Sequence, residues 1–557
     1  MTSTQSGDTG LVGGDETGRR RLRTVAEAWL ADDPDPASQA ELRSVLDDEA
    51  ELEDRFSGPL RFGTAGLRGP LRAGPNGMNL AVVRGAAAGL VRWLAAQPAA
   101  SDDRPLVIGY DARHGSHAFA VETARVATGA GRRALLMPRP LPTPLLAFAV
   151  RRHGAAAGVM VTASHNPPQD NGYKVYLDDG AQLVPPADAE IETAIRAVGP
   201  LADVPLGPPG EVLGEEIVRA YIDAAAGVID PGIPRDLAVA YTPMHGVGRE
   251  VFEAALAAAG YPAPFVVAEQ AEPDPDFPTV AFPNPEEPGA TDLLLALAAR
   301  EGADLAIAND PDADRCAVAY RTGPPLGGVW RQLRGDEVGV LLADHLMRRG
   351  VRGRYATTIV SSSLLSRLCA DRDRPYGETL TGFKWIVRAG ADLVYGYEEA
   401  LGYCVAPELV RDKDGITAAL LVCELAAGLK AEGRTLGDRL DELALHYGVH
   451  ATDQLSVRVS DLAEIAAMMA TVRARPPAAL LDVAVGPVED LHPDADVVIL
   501  RAGTTRVVVR PSGTEPKLKA YLEVVEPVAG GDIPAARERA AAALAALRTE
   551  TAAALGL

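Results

Sequence analysis

A chain of 557 residues is long enough for three or four domains, and at 47% apolar it can bury a core in each. Its net charge of −22 supplies no basic field to hold nucleic acid or an anionic membrane surface, so neither is expected as a partner. Four cysteines, Cys316, Cys369, Cys404 and Cys423, are too sparse for a disulfide framework or a zinc site and suit a reducing compartment.

Residues 1–20 are polar and Gly-rich, read as a mobile tail, and lack the apolar core of a secretory signal. With no apolar run near the roughly 18 residues of a membrane span, the chain reads as soluble and cytoplasmic. Helical patterns follow in TVAEAWLA and AVVRGAAAGLVRWLAAQ, the second with a wide apolar stripe. A repeated grammar then sets in: a short apolar strand, a loop rich in Gly, Pro, Ser or Asp, and an Ala/Leu-rich helix. PLVIGYDAR (105–113), GVMVTASHN (158–166), LAVAYTPMHG (237–246), DLAIANDPDADR (304–315) and YATTIVSSSLL (355–365) all obey it. Such alternation predicts crossover connections and sheets covered on both faces, with ligands beyond the carboxyl ends of the strands.

Pro/Gly-rich breaks at 200–212 and 321–330 mark boundaries, and after 447–455 alternating strands such as 496–512 lead to a last Ala-rich helix. The expected division is a tail at 1–20, α/β domains at 21–205, 206–324 and 325–448, and a smaller α+β domain at 449–557.

Six stretches carry candidate chemistry. In TASHNPPQDNGYKVY (162–176), Ser164 and His165 stand side by side after a strand, before an Asn-Gly turn and Lys174. The serine could carry a phosphoryl group, with His165 and Lys174 handling protons or charge; a capped turn with a packed histidine is the plainer alternative. In DPDADR, Asp310, Asp312 and Asp314 can converge on one hard cation such as Mg²⁺. An EF-hand is excluded, because its sixth and twelfth positions are Arg315 and Arg321 instead of Gly and Glu; a solvated acidic turn remains the alternative.

RPSGTEPKLKAY (510–521) supplies a bidentate fork in Arg510, hydroxyls in Ser512 and Thr514, and close backbone approach at Gly513, which together can cradle a phosphate. An ordinary Pro-Ser-Gly turn would look similar. No GxxxxGK[ST] occurs, so ATP is not the expected substrate. YGYEEALGY (395–403), followed by RDKDG (411–415), offers Glu398 and Glu399 to a polyol, or else a helix N-terminal acid pair. RFGTAGLRGP (61–70), with Arg68, and TGFKWI (381–386) are weak signals singly. Six of the 54 basic residues are lysines, and Lys174, Lys384, Lys413, Lys517 and Lys519 all fall in these stretches, with Lys430 alone elsewhere. In a chain that otherwise uses arginine, this bias points to work specific to an ammonium, although no separate role for Lys413, Lys517 or Lys519 follows from it.

TASHNPPxxNGYK, DPDADR, GYEEALG and RPSGTEPK, in this order and spacing, resemble the α-D-phosphohexomutase superfamily from about residue 40 onward, above all its phosphoglucomutase-2-like branch of phosphoglucomutases, phosphomannomutases and phosphopentomutases. The resemblance implies a heart-shaped, four-domain α/β architecture, three mixed-sheet α/β domains plus a C-terminal α+β domain, with one loop from each domain in a central cleft. It implies that Ser164 is a phosphoserine and that Ser164, Asp310, Asp312 and Asp314 ligate Mg²⁺. It places Arg315 beside the metal, Arg68 near the phosphoserine, and Lys174 and His165 in proton transfer and orientation. Gly382 and Lys384 would read which end of the sugar is presented, Glu398 would hold sugar hydroxyls, and Arg510, Ser512, Gly513 and Thr514 would grip the phosphate not being transferred. Many hexose-specific members have Ser two residues after that Glu; here Ala400 stands, which leaves the sugar open.

The implied activity is a phosphosugar mutase, an isomerase that interconverts sugar 1-phosphate and 6-phosphate of glucose or mannose, with a sugar 1,6-bisphosphate as catalytic activator and a monomer or homodimer as the assembly. The alternatives are a phosphopentomutase, a glucose 1,6-bisphosphate synthase or phosphatase, and a silent sugar-phosphate-binding protein.

Overall fold

A computed structural model of the chain describes residues 16–61, 66–97, 103–323, 328–459, 462–512 and 517–556. They form two compact units, Met1–Ile217 with Pro273–Pro283, and Val218–Glu272 with Asn284–Leu557. The expected tail at 1–20 lies outside the described residues up to position 15; from Glu16 the chain is already helical, as Glu16–Asp32.

The first unit is built on a six-stranded sheet in the order Leu67–Pro70, Asp170–Leu177, Ala157–Val161, Leu106–Tyr110, Ala134–Leu136, Glu211–Val212. The apolar runs LVIGY and AGVMV are buried along their whole length and pair in parallel, as strands covered on both faces should. The Ala-rich pattern predicted as a helix forms Leu80–Ala95, started by Asn79, whose side chain accepts the Val82 N–H at 2.9 Å. Its small residues pack deeply; a Cβ on Gly89 would lie 2.4 Å from Ile195 Cγ1.

Among the described residues the second unit holds three sheets of four or five strands, besides the two-stranded pair Ala479–Leu480 and Val483–Ala484. The first has the order Trp330–Gln332, Ala317–Arg321, Leu305–Ala308, Val239–Thr242, Phe265–Val266, and the next Tyr376–Thr379, Arg354–Thr358, Leu393–Glu398, Gly402–Cys404. Both are mixed: Leu305–Ala308, Val239–Thr242 and Phe265–Val266 run parallel in the first and Tyr376–Thr379, Arg354–Thr358 and Leu393–Glu398 in the next, with the other pairings antiparallel. The last sheet, Val449–Arg458, Lys517–Glu526, Thr505–Pro511, Val498–Ala502, Glu489–Asp490, is antiparallel throughout and carries the helix Ile533–Leu555. Three mixed α/β sheets and one antiparallel α+β sheet match the expected fold class.

A short edge strand lies at each of the first two Pro/Gly breaks. Glu211–Val212, the last two residues of the break at 200–212, pairs in parallel with Ala134–Leu136 and completes the first sheet. Trp330–Gln332 pairs antiparallel with Ala317–Arg321, so strands of the second sheet stand at both ends of the 321–330 break. Both added strands are two or three residues long, too short for a periodic signal.

Candidate functional site

In the first unit the chain leaves strand Ala157–Val161 into the serine loop. Ser164 adopts a left-handed backbone, φ 52°, which costs a non-glycine residue about 1–3 kcal/mol and must be held by its surroundings. Two devices hold it. Thr162 Oγ1 accepts the Ser164 N–H at 2.8 Å. The buried Arg113 guanidinium donates through Nη2 to the carbonyls of Ser164 (2.5 Å) and Asn166 (2.6 Å), and through Nη1 to those of Pro167 (2.8 Å) and Asp170 (3.3 Å). Asp111 stands 3.4 Å from Arg113 Nε and accepts from Ser116 Oγ at 2.6 Å. Burial raises the Asp111 carboxyl above the usual carboxylate range, against the pull of Arg113. Sequence reasoning missed Arg113 and Asp111, although both close the strand Leu106–Tyr110 in YDAR, a strand-end position where site residues gather.

Ser164 is itself 2% exposed, with His165 Nδ1 3.2 Å from its Oγ. Arg68 Nη1 donates to Asn166 Oδ1 at 2.9 Å, which ties the edge strand Leu67–Pro70 to the same loop. The Asn-Gly pair read as a turn is instead inside strand Asp170–Leu177: a Cβ on Gly172 would meet the carbonyls of Thr162 (2.6 Å) and Leu67 (2.9 Å), so close backbone approach selects this glycine. Lys174 accordingly lies on a strand, buried and opposite Met160, not on a loop.

In the second unit the acid triplet follows strand Leu305–Ala308. Asp310, Asp312 and Asp314 are buried, and each offers an oxygen within 4.8 Å of the others. Ala313 takes a left-handed φ of 54°, and the Arg315 N–H donates to Asp310 Oδ1 at 3.0 Å, which curls the loop around its carboxylates. Burial, then repulsion from Asp312 and Asp314, raises Asp310 well above its ordinary value. Three carboxylates at this spacing are a donor set that fits a hard divalent cation.

Two cations join this loop to the Glu398 hairpin. Lys413 Nζ lies 3.1 Å from Asp314 Oδ2 and 3.6 Å from Asp412 Oδ1, and stands over the Phe383 ring at 5.4 Å. Arg315 Nη1 donates to the Ala400 carbonyl at 3.0 Å and lies 3.7 Å from Glu286 Oε2. Burial works against both charges, but Asp314 and Asp412 beside Lys413, and Glu398 and Asp314 beside Arg315, outweigh it and raise both groups. Glu398 is pushed up to about 7 by burial, which Lys413 and Arg315 only partly offset. Glu398 and Glu399 do not begin a helix: Glu398 ends strand Leu393–Glu398, and the turn returns into Gly402–Cys404. A Cβ on Gly402 would sit 2.3 Å from Lys413 Cδ.

TGFKWI supplies Phe383 and a short helix, Phe383–Ile386, capped by Gly382 at φ 111°; Lys384 is buried, its Nζ 5.7 Å from the Trp385 ring centre. Arg510, next to last in strand Thr505–Pro511, stands opposite Lys519, and the Ser512 N–H donates to the Lys517 carbonyl at 2.7 Å. Gly513 and Thr514 lie outside the described residues. Lys517 and Lys519 are strand residues like Lys174, so the lysine bias marks strand ends as well as loops. Glu286, beside Arg315, gave no signal in the Pro-rich stretch FPNPEEPG.

A hydroxyl held on a strained strand end, a buried carboxylate triplet beside two fixed cations, and a basic strand pair together define an enzyme that handles phosphoryl groups. The sequence matches the phosphoglucomutase/phosphomannomutase family in four successive segments: alpha/beta/alpha domain I at 59–200, domain II at 219–323, domain III at 334–447 and the C-terminal domain at 455–540. The chain belongs to this family and is a phosphosugar mutase, an intramolecular phosphotransferase of the isomerase class acting on a phosphorylated sugar. It is 46% identical to the "Probable phosphomannomutase" of Haemophilus influenzae over 80% of this chain and 93% of that one, and 31% identical to the phosphopentomutase of Mus musculus over 92% of each. The crystal structure of Paramecium pp63/parafusin, a phosphoglucomutase in open form, superposes with a TM-score of 0.69 at 18% identity, covering 89% of this chain and 94% of that one, a likeness of fold. No helix among the described residues is long and apolar enough to cross a membrane.

Proposed function

We propose that the protein interconverts the 1-phosphate and 6-phosphate of a hexose, glucose or mannose, with phosphorylated Ser164 as the carrier and a sugar 1,6-bisphosphate as the bound intermediate and activator. The observation that carries this reading is Ser164 itself, held left-handed at a strand end with Thr162 and Arg113 fixing its main chain. Such strain is retained where a side chain must be presented in one direction.

In the first half-reaction a free sugar hydroxyl attacks the phosphorus of phosphoserine 164. The Ser164 Oγ–P bond breaks as the sugar O–P bond forms, and the hydroxyl proton passes to a base while Oγ leaves. The second half-reaction is the reverse, at the other end of the bisphosphate. His165 Nδ1, 3.2 Å from Oγ, is suited to orient or protonate the leaving oxygen, and the Lys174 and Arg68 cations to offset phosphate charge. Arg315 and Lys413 hold the acid loop and the Glu398 hairpin as one body, so that Glu398 can accept sugar hydroxyls while Arg510 and Ser512 take the spectator phosphate. Asp310, Asp312 and Asp314 would hold Mg²⁺, which when bound neutralises charge on the transferring group. Lys384 and Gly382 would sense which end of the sugar is presented. The four thiols are all free and buried, in keeping with a cytoplasmic enzyme.

The pentose reading is the alternative, since a phosphopentomutase is among the relatives. Intact mass of the purified enzyme, with and without a hexose 1,6-bisphosphate, and kcat/KM on glucose, mannose, ribose and deoxyribose 1-phosphates decide both points. We expect one phosphoryl adduct mapped to Ser164 and a hexose at the top of the series. A Ser164→Ala enzyme with near-normal turnover would overturn the carrier assignment, and a pentose leading the series would overturn the hexose assignment.

A further inference from the structure

One face of the fourth sheet makes two different kinds of contact along its length. In the ladder between Thr505–Pro511 and Lys517–Glu526, Arg506 stands opposite Glu523, Val508 opposite Tyr521, and Arg510 opposite Lys519. Side chains alternate along a strand, so these six share one face. At its inner end Arg506 and Glu523 are 6% and 3% exposed and form an ion pair, Nη2 to Oε2, of 3.0 Å.

That pair grips loop 359–363, which follows strand Arg354–Thr358 of the third sheet. Arg506 donates to the carbonyls of Ile359, at 3.2 Å, and Ser361. Glu523 Oε1 accepts from Ser362 Oγ (2.9 Å), the Ser363 N–H (2.7 Å) and Ser363 Oγ (3.0 Å), with His450 Nδ1 at 3.2 Å. Burial pushes the Glu523 carboxyl up, but His450 and Arg506 outweigh it and hold it at about 2, so the charge is firmly set. Val508 and Tyr521 pack against Ile359 and Val360 of the same loop.

The loop's other side faces the sugar hairpin. Thr358 Oγ1 and Ser361 Oγ each donate to Glu399 Oε2 at 3.2 Å. Ser361 is therefore held through its carbonyl by Arg506 and holds Glu399 through its hydroxyl. A continuous polar path runs from Arg506 to the residue beside Glu398, while four residues along the same strand face stands Arg510.

We propose that Arg506 and Glu523 are positioning residues that fix the Arg510–Lys519 end of the fourth sheet against the Glu398–Glu399 hairpin, and so set the length of substrate that can reach both. This rests on the reading of Arg510 as a phosphate ligand. A mutase substrate must satisfy the same two groups in either orientation, so their separation selects for sugar length without touching the sugar. A buried clamp of charge-assisted bonds is stiff enough for this, and removing one partner strands the other's charge in the interior.

The test measures KM and kcat on glucose 1-phosphate and ribose 1-phosphate for wild type, Glu523→Gln, Arg510→Ala and their double variant, with Val507→Ala as control. Val507 is buried on the opposite face of the same strand, in the core of the fourth domain, so its truncation lowers stability and leaves the clamp intact. Glu523→Gln is expected to raise KM for the hexose about 10-fold with a smaller change in kcat, and to narrow the hexose-to-pentose ratio of kcat/KM. In the double variant the two effects should overlap, leaving KM within about twofold of Arg510→Ala alone. Arg506→Lys, which keeps the charge and loses the fork, supplies the same comparison where Glu523→Gln does not fold. Independent, multiplying effects, or a Val507→Ala enzyme with the same KM rise, would overturn the clamp. Arg510→Ala effective with Glu523→Gln silent removes this inference alone, whereas an inert Arg510→Ala removes the phosphate reading and the clamp together.

Discussion

Arg113 should matter to turnover almost as much as the serine it fastens. Arg113→Lys keeps a buried cation beside Asp111 but replaces two nitrogens spread over four carbonyls with one. At least two of those bonds are lost, and at about 1.5 kcal/mol each for a charged donor the grip weakens by about 3 kcal/mol. That equals or exceeds the roughly 1–3 kcal/mol cost of a left-handed serine, so the Ser164 backbone is free to relax and its Oγ to leave its present direction. Spread over the transition state, about 3 kcal/mol corresponds to about a 100-fold fall in kcat. KM should barely move, because the spectator phosphate is assigned to Arg510 and Ser512. The first unit keeps its extensive apolar core and should stay folded. Steady-state turnover of glucose 1-phosphate, with product formation coupled to oxidation of glucose 6-phosphate, reads kcat and KM separately. A kcat within twofold of wild type, or a change confined to KM, would refute the argument that Arg113 holds the serine in its strained state.

Asp312→Asn removes one charged oxygen from the triplet and should raise the Mg²⁺ concentration for half-maximal activity at least about 10-fold, followed by titrating metal into chelator-treated enzyme; an unshifted titration counts against a metal role. Asp336, buried where it accepts the Ser362 N–H at 2.8 Å, is raised from 3.8 to about 7 by burial, with Glu399 and Glu523 adding to the shift and Arg506 opposing it. A raised carboxyl binds its proton more tightly when folded, so its stabilising contribution is complete below about pH 4 and declines as pH rises to about 7. Relative to Asp336→Asn, wild type should therefore lose about 2–3 kcal/mol between pH 5 and pH 8, seen in denaturation midpoints, and parallel profiles would contradict this. Gly415→Ala should abolish activity with little binding left, because its Cβ would lie 2.3 Å from the Arg315 carbonyl and 2.8 Å from that of Ala313; a variant with wild-type KM and kcat would show that the acid loop can move aside.

How much of this was legible in the sequence depended on whether a signal was local. LVIGY, AGVMV and LAIA are apolar runs bounded by turn residues, and each became a fully buried strand. The triplet spacing of Asp310, Asp312 and Asp314 is equally local, and the fold closes it into a cluster. Arg113 could not be found that way, because its four acceptors lie 51 to 57 positions further along the chain and are main-chain carbonyls with no sequence identity. Arg506 is similar, since it reaches back 145 residues to Ser361. The Asn-Gly turn failed for a related reason: Gly172 is small because Thr162 and Leu67 crowd it from two neighbouring strands, a cause invisible to turn propensity.

The distribution of charge explains how an acidic protein manages an anionic substrate. Asp310, Asp312, Asp314, Asp412 and Glu286 on loops, and Glu398 at a strand end, gather around Arg315 and Lys413, while Arg510, Lys517 and Lys519 stand on a strand pair of the fourth sheet. Unlike charges near a protein surface interact by about 4 kcal/mol at 4 Å, so this separation alone can orient a molecule that is anionic at one end and hydroxylated along its ring. In the proposed mechanism the orientation would survive end-for-end exchange, because a bisphosphate would present a phosphate to the basic strands whichever way it lay. Recognition built on charge position reads ring stereochemistry only through groups such as Glu398. At position 400 the structure uses the main chain: the Ala400 carbonyl accepts from Arg315, and its methyl group offers the sugar no hydrogen bond. A missing hydroxyl there is worth about 0.5–1.5 kcal/mol, roughly 2–10-fold in discrimination. On the assignments proposed above, the site would be strict about phosphates and their separation, and lenient about which hydroxyl on the ring is axial.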